Sequence, residues 1–129
     1  MLALPVVLSA SSVQARTETH PQGAWGPSQG CTDWQAGEPS LSEVAPWEIG
    51  ERWVTRGIYH CLITARPVEA PDGRIIMSLR CGEDAREIGY YLTLSLDDDA
   101  AMTMTWNPVG THEHYRFGPY AFCGAAPGS

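Results

Sequence analysis

The sequence predicts an all-β protein, a small antiparallel barrel or sandwich of about 6–8 strands stabilised by two disulfides. Three observations lead there. Apolar residues recur with a strict two-residue period as Ile88, Tyr90, Leu92, Leu94 and Leu96, and again as Met102, Met104 and Trp106. That period belongs to strands with one buried face, and no stretch with helical periodicity competes with it. Turn residues such as Pro71-Asp72-Gly73, Asp97-Asp98-Asp99 and Pro108 with Gly110 divide these runs at the close spacing of an antiparallel all-β domain. Four cysteines, Cys31, Cys61, Cys81 and Cys123, follow an N-terminal stretch with the form of an export signal. An even number of cysteines in an oxidising compartment favours two disulfides.

The elements follow in chain order. Residues 1–15, MLALPVVLSASSVQA, read as a signal peptide: an apolar stretch, small residues, then the small-x-small form Val13-Gln14-Ala15. No Lys or Arg precedes the apolar stretch, so a start truncated relative to the natural one is part of the expectation. The stretch falls short of the roughly 20 apolar residues a transmembrane helix requires, and no membrane span is expected. Residues 16–46 are rich in Pro, Gly, Ser and Gln, and are predicted to be an irregular lead-in tied down by a disulfide at Cys31, with a short strand around Trp25.

Residues 47–129 are assigned to the antiparallel β domain. Within it, residues 57–66 read as a strand, β-branched and aromatic, that ends at Pro67. The turn Ala70-Pro71-Asp72-Gly73 has Pro to preset φ and Gly to accept a positive φ, which suits a type I turn with a bulge. The strand at residues 74–80 then carries Ile75, Met77 and Leu79 on one face, with Cys81 following in phase. Folding about the turn makes a hairpin and brings Cys61 nearly opposite Cys81. Further strands are expected at residues 87–96, at 101–106, and from Tyr115 to Cys123 with an interruption at Gly118-Pro119.

Four cysteines allow three pairings. A bridge between directly paired strands must meet a narrow geometry, with Cα atoms about 4.4 to 6.8 Å apart. Proximity of Cys61 and Cys81 does not decide among the three, and the favoured pairing is Cys31 with Cys61 and Cys81 with Cys123, which would pin the lead-in and the last strand to the central hairpin.

The chain has 129 residues, enough for one domain, with a formal net charge of −7 and eight basic residues that are all arginine. An acidic balance without a basic cluster argues against nucleic acid or an anionic membrane and favours a basic protein partner. His112 and His114 would point to the same face of an extended strand and could ligate a metal if Asp97, Asp98 or Asp99 came near. Glu113 would point the other way. Without a third ligand the pair reads as a solvated strand end, and no metal or other cofactor is expected.

Glu83, Asp84 and Glu87, beside Arg86, lie at a turn, where charges are normally solvated rather than paired for acid–base work. Asp97-Asp98-Asp99 lacks the glycine and distal glutamate of an EF-hand loop. There is no Gly-x-Ser-x-Gly elbow, no glycine-rich phosphate loop, and no free thiol once the cysteines pair, so the expected protein is not an enzyme. Trp47 and Trp53 flank a short charged segment and serve either as core or as exposed binding anchors.

Four pieces carry a resemblance: Ala24-Trp25-Gly26-Pro27-Ser28 ahead of Cys31, Tyr59-His60-Cys61, Leu79-Arg80-Cys81-Gly82-Glu83, and Gly118-Pro119-Tyr120-Ala121-Phe122-Cys123. With them the chain resembles a group of small exported four-cysteine bacterial proteins without an assigned activity. More distantly, it is similar in size and pattern to periplasmic β-barrel inhibitors of lysozyme and of secreted proteases. The resemblance implies an exported binding protein, periplasmic or secreted, acting as an inhibitor of a basic hydrolase. The acidic turns at Glu83-Asp84 and Asp97-Asp98-Asp99, with Trp47 and Trp53, are the expected contact residues. The alternatives are an envelope protein that binds a metal or small ligand through His112 and His114, and a structural envelope component.

Overall fold

A computed structural model describes residues 20–41, 43–83 and 86–125, with Glu83 described by its backbone alone. The signal peptide expected at residues 1–15, Asp84 and the C-terminal residues 126–129 lie outside the described residues. The strands are β1 (Gly23–Gly26), β2 (Trp47–Ile49), β3 (Trp53–Arg56), β4 (Tyr59–Ile63), β5 (Val68–Glu69), β6 (Ile75–Glu83), β7 (Arg86–Leu96), β8 (Met102–Pro108) and β9 (Tyr115–Gly124). One helix, α1 (Ser28–Gln35), lies between β1 and β2.

Each strand pairs antiparallel with its neighbours in the order β4-β3-β2-β1-β9-β8-β7-β6-β5, and a further β4–β6 pairing joins the ends of the row. Eight strands thus close into an up-and-down barrel, with β5 as an extra strand on β6. Of the two architectures the periodicity allows, the barrel is the one adopted. Closure works because β6 is long: Ile75 and Ile76 pair with β5, while Leu79, Arg80 and Cys81 pair with Ile63, Leu62 and Cys61 of β4. The Pro71-Asp72-Gly73 turn forms as expected, with Gly73 N–H donating to Ala70 O at 2.9 Å and Gly73 at φ +91°.

The alternating residues of β6, β7 and β8 fill the interior: Met77, Leu79, Leu92, Leu94, Met102, Met104 and Trp106 are all buried. Facing positions from β2, β3 and β4 add Trp47, Ile49, Val54 and Cys61. The interior is layered. Aliphatic side chains occupy one half, and Trp47, Trp106, Tyr90 and Phe117 gather in the other, with ring centroids 4.8 Å apart for Trp47–Trp106 and 5.6 Å for Tyr90–Trp106. At the aliphatic end the chain covers its own barrel. His20 is buried and its Nε2–H donates to Gly50 O at 2.7 Å, while Pro21 sits beside Gly73, Ile75 and Leu94.

Two expectations are corrected. The short strand expected around Trp25 forms as β1, which bridges β2 and β9, but the described part of the lead-in also holds a helix that the sequence pattern does not predict, α1, packed on β9. At eight residues, α1 is too short for its period to show in the sequence. Packing fixes it in place, since a Cβ at Gly30 would stand 1.7 Å from Val44 O. β9 runs from Tyr115 to Gly124 as expected, and the interruption expected at Gly118-Pro119 is a shift of its register on β8. Gly118 is required, with φ +107° and room for a Cβ only 2.5 Å from Met102 O.

The second correction concerns the disulfides, which join Cys31 to Cys123 and Cys61 to Cys81. Thr64 N–H donates to Ser78 O, which makes Cys61 and Cys81 a closely spaced, non-hydrogen-bonded pair. Their Cα atoms are 4.2 Å apart, near the roughly 4.5 Å spacing of such a pair, so directly paired strands bring the two sulfurs within reach of each other. Cys31 meets Cys123 because α1 lies along β9, and their Cα atoms are 4.9 Å apart.

Each cysteine is separated from the others by arginines, so trypsin places all four on different peptides. Peptide mapping without reduction should recover Cys31 with Cys123 and Cys61 with Cys81; a peptide linking Cys31 to Cys61 would refute the fold. The bridges close loops of 92 and 20 residues, worth about 4.6 and about 3.3 kcal/mol of loop-closure entropy. Urea unfolding should therefore show Cys31→Ser/Cys123→Ser to be the more damaging of the two paired substitutions.

Candidate functional site

The end of the barrel opposite His20 is open. The β3–β4 hairpin at Gly57-Ile58, the Glu83 end of β6, the Arg86 end of β7 and the β8–β9 loop surround it, and the aromatic half of the interior forms its floor. A pocket of about 380 Å³ opens there. Its walls are Trp47, Tyr90, Trp106 and Phe117 from the core, Tyr59 and Tyr115 at the rim, and the Cys61–Cys81 disulfide at the seam between β4 and β6. This is in the range of small-molecule sites, which favour the mouths of β-barrels.

The remaining lining residue is Arg56, the one ionised side chain among the nine. Strand parity explains its position: Val54 is fully buried, so Arg56, two residues on along β3, also faces inward. Its Nε–H donates to Ala45 O at 2.8 Å. The guanidinium carbon lies 5.2 Å from the centre of the Trp47 ring and 5.9 Å from that of Phe117, a cation over aromatic faces. Among the described residues no carboxylate pairs with Arg56, whereas Arg74 pairs with Asp72 at 2.8 Å and Arg80 with Glu87 at 3.5 Å. Burial raises the pKa of the nearby Tyr120 hydroxyl, with the positive charge of Arg56 pulling the other way.

The residues singled out in the sequence are dispersed. Trp47 is buried and lines the pocket, while Trp53 lies outside the barrel, part-exposed and stacked on His60 with ring centroids 4.0 Å apart. Glu83 ends β6 at the open end, and Asp97, Asp98 and Asp99 form the β7–β8 turn at the covered end. At about 3.4 Å per residue, the 11 residues of β7 run roughly 34 Å from Arg86, the partner of Glu83, to Leu96 beside Asp97, so Glu83 and Asp97-Asp98-Asp99 do not form one surface. Asp97 is committed to its own turn, its Oδ1 accepting from the N–H groups of Asp99 and Ala101 at 2.9 Å each.

His112 and His114 are not on a strand; they are exposed in the β8–β9 loop beside the pocket. The loop is held instead by Thr111, whose hydroxyl donates to Pro108 O, and by Asn107 Nδ2, which donates to Glu113 O. Among the described residues no group of three His, Cys, Asp or Glu side chains could hold a metal. Sequence reasoning missed Arg56. The signal was its parity: Val54 and Arg56 before the Gly57-Ile58 turn, Tyr59 and Cys61 after it, with a lone cation in an otherwise apolar inward set.

At the rim, the Tyr115 hydroxyl donates to Glu113 Oε1 at 2.6 Å. That bond, and the carboxylate's charge, raise the Tyr115 pKa above its ordinary 10.0. The contribution to folding is present below pH 10.0 and is lost as pH rises through the elevated value. Absorbance titration of the phenolates should show Glu113→Gln lowering one tyrosine's midpoint; an unchanged curve would place the Tyr115 hydroxyl elsewhere. No protein-family model, curated protein or solved structure matches this chain, so the pocket is read on its own chemistry.

Proposed function

We propose that this is an exported binding protein that holds a small amphipathic molecule in the open end of its barrel. The observation that carries the proposal is the pocket of about 380 Å³, walled by four core aromatic rings and rimmed by two tyrosines. Packed interiors leave few voids larger than a water molecule, and a barrel this size ordinarily fills its interior with side chains. Here the filling stops well short at the open end, against a void of about 110 Å³ beside Pro21, Ile75 and Leu94 at the other. Two disulfides suit an oxidising compartment, and together with the N-terminal signal pattern they support the export reading. Among the described residues no helix is long and apolar enough to cross a membrane.

Inhibition of a basic hydrolase through the acidic turns receives less support, because Glu83 and Asp97-Asp98-Asp99 lie at opposite ends of the barrel. A basic partner would meet one turn or the other.

The neutral dye N-phenyl-1-naphthylamine tests the pocket, with Trp47 and Trp106 in its walls as built-in fluorescence donors. One dye should bind per protein. Tyr115→Asp, which places a charge at the part-exposed rim, should weaken binding at least about tenfold. Tyr91→Asp, equally exposed on the outer face, should leave it unchanged. Absence of saturable binding, or equal loss in both variants, would end the proposal.

A further inference from the structure

We infer that the ligand of this pocket is an anion, a carboxylate or sulfonate attached to an apolar ring or short chain, recognised by the guanidinium of Arg56. The inference rests on the pocket being the binding site and adds the charge of what it holds. In a protein of net charge −7, the one ionised side chain among the described residues that line this cavity is positive. Half-burying a guanidinium carries a desolvation cost that an apolar side chain at the same position would avoid. A carboxylate partner would offset that cost, and among the described residues Arg56 has none. Its Nε–H is satisfied by Ala45 O, which orients the group and leaves the Nη donors for another acceptor. A guanidinium presents those donors as a planar fork that matches two oxygens of a carboxylate or sulfonate.

The aromatic walls argue for the same charge. A cage of tryptophan and tyrosine faces is also what a cationic ligand would seek. In this barrel the protein's own cation holds that place, 5.2 Å from the Trp47 ring centre and 5.9 Å from that of Phe117. A second cation would be repelled. Glu113, the carboxylate at the rim, is engaged by the Tyr115 hydroxyl. The apolar part of the ligand would pack against Trp106, Tyr90 and the Cys61–Cys81 bridge.

Two dyes with the same ring system provide the test: neutral N-phenyl-1-naphthylamine and its anionic counterpart 1-anilinonaphthalene-8-sulfonate. The oxidised protein should bind the sulfonate at least about tenfold more tightly than the neutral dye. Arg56→Gln should abolish that preference while retaining the neutral dye, and Arg56→Lys should keep part of it. On the unaltered protein, benzoate should displace bound neutral dye where benzyl alcohol at the same concentration does not, a comparison that stands even if Arg56→Gln fails to fold. Equal affinity for the two dyes, or equal displacement by benzoate and benzyl alcohol, overturns the anion inference and leaves the pocket standing. If neither dye binds saturably, the pocket itself is refuted.

Discussion

Everything inside this protein depends on the short seam between β4 and β6. Without it the strands make an open row with β4 and β5 at its edges; with it the row becomes a closed wall. The seam is brief, with paired residues Cys61–Cys81, Leu62–Arg80 and Ile63–Leu79, because β4 gives way at Ala65-Arg66-Pro67 and β5 takes over the rest of the β6 edge. Three pairs are few for a junction that must hold an eight-stranded barrel shut. The Cys61–Cys81 bridge sits at the end of that junction nearest the pocket, and so it fixes the shape of the mouth as well as the stability of the wall.

The two ends of the barrel differ because their side chains pack differently. Methionine and branched aliphatic residues adapt to one another, and Met77, Leu92, Met102 and Met104 fill their half to complete burial. Tryptophan and tyrosine rings are flat and meet at angles: 34° between Trp47 and Trp106, 82° between Tyr90 and Trp106. Rings that meet at such angles leave space beside them that no further described side chain fills. The indole N–H groups of Trp25, Trp47 and Trp106 are buried without a hydrogen-bond partner, and Trp47 Nε1 approaches the Tyr120 hydroxyl without reaching hydrogen-bond geometry. Ring surface, and not the polar handle, is what these residues contribute here.

The long strands are legible in the sequence because each supplies its own repeated evidence. Leu92, Leu94, Met102, Met104 and Trp106 show the same face several times over, and all are buried. β2 and β3 are not legible: three and four residues joined across Gly50-Glu51-Arg52 give too few repeats to establish a period. The disulfides elude sequence reasoning for another reason. Proximity of Cys61 and Cys81 follows from the hairpin, but whether their Cα atoms approach to 4.2 Å depends on which of two alternating pair types they occupy, a matter of register. The pocket is the least legible feature, since Trp47 and Arg56 on the β2–β3 pair meet Tyr90 on β7 and Tyr115 on β9 only when the ring closes.

Arg56 brings these threads together. As a surface residue it would be one more solvated charge in an acidic protein; as a core residue it would be a poor substitute for leucine. Its strand parity aims it inward, its position one residue before the Gly57-Ile58 turn places it at the mouth, and the Ala45 carbonyl holds its Nε edge. The Trp47 and Phe117 faces lower the cost of keeping a cation there without neutralising it. Carboxylates on this protein are numerous, and the two arginine pairs at Asp72 and Glu87 are both on exposed surface. A structure that needed only to cap its core would gain by drawing one of those carboxylates to Arg56 or by replacing the arginine with an apolar side chain. What the described residues of the cup present instead is one oriented positive charge among apolar walls, an arrangement that an anion from outside would complete electrostatically.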